Sequence, residues 1–197
     1  RSGGWSSDGQ GLLDLARGGV VWQVAQAQQL VVAAAMAGVR PRDWPAGPLA
    51  HAHALPVHLQ GAAQSLHMSM ALDRGDMDTA HATAQALAAL WPDAPDGQRQ
   101  GLALMLASYA ARCGDAELLA AWRPHCEGGM LDLTPYRLWL DAEAALLGGD
   151  PAAAHALVRD AREALPRVHD RSGALVLGEW LDALQERLQL HDGNHSH

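Results

Sequence analysis

Apolar residues recur along this chain three and four positions apart, and strict apolar–polar alternation is missing. That spacing gathers them on one face of an α-helix rather than of a strand. Glycines and prolines cut the pattern into segments. A first helix is predicted over residues 20–37, after Gly18-Gly19 and before Gly38. The stretch VRPRDWPAGP, residues 39–48, carries three prolines and forbids a continuous helix. Residues 49–55 read as a short helical turn. Pro56 opens the next helix, because proline suits a first turn, and that helix runs to about Arg74. Further helices are predicted up to Leu90, over 98–112, up to about Cys126, and over 134–147, 151–165 and 171–190. The expected fold is all-α, with eight or nine helices.

A Gly-Asp pair occurs at 75–76, 114–115 and 149–150, spaced by 39 and 35 residues, each time between two helices. Glycine accepts the left-handed conformation that ends a helix. Aspartate caps the next helix by accepting from its free N–H groups. Pro92 and Pro166 each fall 17 residues after their glycine, and Ala80 and Ala154 each fall five after it. Small residues there let two helices approach closely.

This pattern resembles the tetratricopeptide repeat, a helical hairpin of about 34 residues. Ala142, Gly149, Asp150, Ala154, Ala161 and Pro166 fall on the family's small-residue, turn and terminal-proline positions. Gly75, Asp76, Ala80 and Pro92 match in the first copy, and Ala107, Tyr109, Gly114 and Asp115 in the middle one. The middle copy has Leu119 for the usual alanine and Gly128-Gly129 where the closing proline is expected. The resemblance covers about residues 60–166. It implies an α-solenoid of antiparallel hairpins over 57–92, 97–127 and 134–166 with a capping helix over 171–190. Together with the helix over 20–37 these make one domain, 20–190, between a flexible lead-in (1–19) and a disordered tail (191–197).

The resemblance also implies a concave groove, lined by the first helix of each hairpin, that binds a protein or peptide. The residues it would draw on are Gln60, Gln64 and Ser65; Gln100, Leu104 and Ser108; and Tyr136, Arg137 and Trp139. No basic clamp for a carboxylate tail is among them. In the last helix, Leu175, Leu177, Leu181, Leu184 and Leu188 either cover the last hairpin or pair two chains as a homodimer.

Composition narrows the function classes. The formal charge is −8, and arginine is the only strong cation because lysine is absent. Phe and Ile are absent too, a codon bias that points to a GC-rich, bacterial genome. No arginine cluster forms the concentrated basic surface that nucleic acid requires. No apolar run approaches the about 20 residues of a membrane span. Cys113 and Cys126 are predicted to stand about 20 Å apart along a helix, too far for a disulfide. Unbridged cysteines suit a reducing cytoplasm. The chain opens at Arg1 rather than Met, as an added tail or the cut edge of a longer protein would.

Candidate chemistry is sparse. His51, His53 and His58 in HAHALPVH are the densest of 11 histidines, and His-x-His with a third His can bind zinc or copper. Pro56 interrupts them, and no Cys or acid lies close enough in sequence to complete the set. His191, His195 and His197 form a second, looser group. His67 and His81 flank the first Gly-Asp turn. His125 beside Cys126 points away from it on a helix, and Asp141, Glu143, Glu179 and Asp182 read as solvated helix faces. There are seven tryptophans and no Phe, so tryptophan reads first as core filling and second as an interface anchor. Trp44, in the proline-rich loop, is expected to be exposed. No cofactor motif is present. The expected function is a non-catalytic binding scaffold, the sensor part of a larger signalling or transcription-control protein. The alternatives are a histidine-rich metal-binding accessory protein or enzyme, and a structural homo-oligomer.

Overall fold

The computed structural model describes residues 18–45, 47–129 and 131–194. Among them are eight α-helices and no strand. They are α1 (Val20–Met36), α2 (Val57–Arg74), α3 (Met77–Leu90), α4 (Asp96–Cys113), α5 (Ala116–Trp122), α6 (Thr134–Leu147), α7 (Pro151–Ala164) and α8 (Arg171–Asn194). The lead-in over 1–17, and His195 and His197, lie outside the described residues. Gly47–Ala54 forms two short 3₁₀ turns, kinked at His51, that pack on α1 and α2. The last helix is longer than expected. It runs past Leu190 to Asn194, and the Asp192 carboxylate meets His155 Nε2 on α7 at 2.9 Å.

The three Gly-Asp joints share one local geometry. Gly75, Gly114 and Gly149 have φ of 69°, 70° and 79°, the left-handed region where only glycine is unstrained. The carboxylates of Asp76, Asp115 and Asp150 accept from the backbone N–H of Thr79 (3.1 Å), Leu118 (2.9 Å) and Ala153 (2.9 Å). Ala80, Leu119 and Ala154 follow at matching positions and are fully buried against the partner helix. Proline closes all three second helices, which corrects the reading of the middle one. Pro92, Pro124 and Pro166 each sit in a 3₁₀ turn that succeeds α3, α5 and α7. α3 and α7 have 14 residues each but α5 only 7, so Pro124 arrives two turns early.

Within each Gly-Asp pair the helices pack together: α2 on α3, α4 on α5, α6 on α7. The first helices also adjoin, α2 to α4, α4 to α6 and α6 to α8. α1 touches both α2 and α8, the two ends of this row. The leucines of α8 serve this packing. Leu177, Leu181, Leu184 and Leu188 are fully buried in one cluster with Trp139, Leu140 and Val158 of α6 and α7. They are not a free dimer stripe, and only Leu175 of the expected five is exposed. Trp44 is likewise buried, not exposed, with its indole N–H donating to the Val39 carbonyl at 2.8 Å. It packs with Val24, Val31 and Leu49, sealing α1 to the following loop.

Candidate functional site: a cavity between the first helices

A partly open cavity of about 380 Å³ lies where the first helices face one another. That is within the range of about 300–1,000 Å³ typical of small-molecule sites. Leu66 on α2, Leu104 and Met105 on α4, and Val176 and Trp180 on α8 give it an apolar wall. The loop after α1 contributes Pro41 and Trp44, and the loop before α6 adds Leu131 and Leu133.

Two polar atoms in this wall stand out. Ser108 on α4 and Ser172 on α8 are 0% and 1% exposed, and neither Oγ has a hydrogen-bond partner. Helical serines commonly donate to the carbonyl four residues back. Ser65 and Ser69 do so, to Gly61 (2.8 Å) and Ser65 (3.0 Å). Ser108 does not take this option. A buried hydroxyl without a partner costs about 1–3 kcal/mol. Six buried side-chain polar atoms lack partners among the described residues, and these two share one cavity.

Tyr136, at the start of α6, also lines the cavity, and its hydroxyl reaches the first turn of α8. A Cβ at Gly173 would sit 2.5 Å from that oxygen, so glycine is what lets the ring approach. Burial, with the Asp170 carboxylate nearby, pushes the Tyr136 hydroxyl well above its ordinary pKa and keeps it neutral. Asp170 itself caps α8, accepting from the Gly173 N–H at 2.6 Å.

An ion cluster ties together the elements that carry Pro41, Leu72 and Trp180 into the cavity. Arg40 pairs with both Asp73 of α2 and Glu179 of α8. Arg42 adds its Nε to Asp73 at 3.2 Å and its backbone N–H at 3.0 Å. The Asp73 side chain is 2% exposed. Burial pushes its carboxyl up, but hydrogen bonds from Arg42 and Arg40 outweigh this and hold it below its ordinary value. The Arg40 guanidinium is raised, chiefly by its hydrogen bond to Glu179, against a smaller opposing effect of burial.

Of the residues expected to line a groove, Leu104, Ser108 and Tyr136 meet at this cavity. The others are placed elsewhere. Gln60 donates to the carbonyls of His53 (3.1 Å) and Leu55 (2.8 Å), pinning the turn before α2. Gln64 is buried, and Ser65 is spent on its own helix. Gln100 donates to the carbonyls of Cys126 (3.2 Å) and Leu131 (3.3 Å), which ties the end of the second pair to the next loop. Arg137 pairs with Glu127 at 2.7 Å. Trp139 is fully buried, and its ring lies 4.7 Å from that of Trp180. Sequence reasoning missed the α8 residues Ser172 and Val176. Nothing local in the chain says that α8 faces α4 as well as α6.

The other candidate chemistries do not assemble. The His51 and His53 rings lie 6.3 Å apart, and His58 lines a separate hollow beside Gln98. Among the described residues no three His, Cys, Asp or Glu groups are placed to hold a metal ion. His81 Nδ1 contacts the Tyr109 hydroxyl at 2.7 Å. The His125 ring packs against Trp91 with centroids 4.7 Å apart and planes inclined by 58°, while Cys126 is buried and its thiol is pushed up to about 11 by desolvation. Asp141, Glu143 and Asp182 are each paired with an arginine: Arg123, Arg187 and Arg162. Cys113 and Cys126 are both free thiols. Among the described residues no helix is long and apolar enough to cross a membrane.

In comparison with known proteins, no family model matches the chain, and neither does a curated protein or a solved structure.

Proposed function

We propose that this chain is a non-catalytic binding module of tetratricopeptide-like design, the sensing part of a bacterial regulatory protein, and that its ligand enters the cavity on the first-helix side. The observation that carries this reading is the convergence of Leu104, Ser108 and Tyr136 on one apolar cavity. These residues come from two different helix pairs. The three alike Gly-Asp joints and the adjoining first helices support the solenoid reading. α8 and the loop over 39–45 line this cavity together with the first helices. The geometry therefore favours a compact ligand, or one side chain of a partner, over a long peptide.

Nuclear magnetic resonance tests this reading. The ¹⁵N-labelled chain is titrated with a panel of small neutral apolar fragments. Shifts clustered at Leu104, Ser108, Tyr136 and Val176 are expected. Shifts confined to the exposed face of α1, or none at all, would overturn the reading.

A further inference from the structure

The two unpartnered serines specify what the cavity takes. We infer that it binds a small, uncharged, mainly apolar molecule carrying a hydroxyl or carbonyl oxygen, held by the hydroxyls of Ser108 and Ser172. This inference rests on the reading of the cavity as the ligand site.

Three observations lead to it. The wall is apolar over most of its area, so the body of the ligand must be apolar to gain from leaving water. Both serines line the cavity, one on α4 and one on α8, and their hydroxyls are buried without a partner, so each must turn toward the space to meet a ligand. Buried polar groups are almost always satisfied, so these two await an outside partner. A hydroxyl both donates and accepts, which suits an alcohol or a carbonyl.

Charge selects the head group. Among the described residues no arginine lines the cavity, and the chain has no lysine. Arg40, next to the lining Pro41, is committed to Asp73 and Glu179, and Arg167 to Asp132. His169 is the one lining side chain that can become cationic, so a carboxylate head would meet no permanent counter-ion, at a high desolvation cost. The acids that do line the cavity are already engaged. Asp132 accepts from the Thr134 N–H at 3.1 Å and pairs with Arg167 at 2.6 Å, and Asp170 caps α8. A cationic head would have to displace one of these bonds. A neutral head meets neither obstacle.

The test uses the full chain and three probes of equal length: 1-decanol, decanoate and decylammonium, followed by calorimetry. Decanol is expected to bind saturably at one site, and each ion at least tenfold more weakly. Ser108→Ala and Ser172→Ala should each weaken decanol about three- to tenfold, the worth of one hydrogen bond. Each should also raise the melting temperature of the unliganded chain, because an unsatisfied buried hydroxyl is removed. A merely structural serine would move that temperature the other way. Val176→Phe, checked for fold by circular dichroism, should abolish binding by filling the space. Tighter binding of either ion, or serine variants that bind decanol like the parent, would overturn the inference and leave the cavity reading standing. No binding of any probe, with no fragment shifts in the resonance experiment, would bring down both.

Discussion

Trp139 of α6 and Trp180 of α8 lie with ring centroids 4.7 Å apart and planes inclined by 33°. Trp139 is fully buried in the largest core cluster, while Trp180 lines the cavity. The pair thus joins the core that holds the fold to the wall that shapes the site. Trp139→Ala is expected to cost about 3–5 kcal/mol, as for other large buried aromatics. Trp180→Ala should cost less, because part of that ring is already exposed and borders empty space. Denaturant unfolding of both variants checks the order.

Asp76, Asp115 and Asp150 perform the same task at three joints. Replacing any one with Ala removes a side-chain cap worth about 1 kcal/mol. Replacing Gly75, Gly114 or Gly149 with Ala should cost at least as much, because the backbone there is left-handed. Six melting curves suffice. An aspartate variant as stable as the parent would show that its cap does not hold in solution.

These joints were legible in the sequence because their physics is local: a positive φ demands glycine and a bare helix start favours aspartate. Pro124 obeys the same local rule, but its early position hid it behind an expected 17-residue spacing. Trp44 was misjudged because its burial depends on Val24, Val31 and Leu49, which only the folded chain brings to it. The half of the cavity that comes from α8 was out of reach for the same reason. Arg40 and Glu179 are 139 residues apart in the chain, and periodicity carries no signal across that distance.

The same ion cluster makes a prediction about acid. Asp73 has a folded pKa below its ordinary 3.8, so its contribution is fully present above that value. It is lost as pH falls through the lower, folded pKa. Asp73→Asn should destabilise the chain at neutral pH, on the order of 1–2 kcal/mol, because Arg40 and Arg42 keep only the exposed Glu179 as counter-charge. The difference between variant and parent should begin to shrink as pH falls below about 3.8 and vanish only beneath the lower, folded pKa, where the native carboxyl is protonated too. Urea midpoints across that range read it directly.

The two thiols should separate cleanly. Cys113 is exposed, and Cys126 is buried with its thiol pushed up to about 11. The thiolate is the reactive form. A disulfide reagent at pH 8 is expected to titrate Cys113 promptly in the native chain and to reach Cys126 only on unfolding.

The existence of an apolar cavity between α2, α4 and α8 is the central claim, and xenon tests it without assuming any ligand. Such cavities take up xenon, whereas filled cores do not. In crystals of the full chain under xenon pressure, a xenon peak is predicted among Leu104, Met105, Val176 and Trp180. Crystals that bind xenon only elsewhere, or in which α8 has closed onto α4 and left no space, would contradict it.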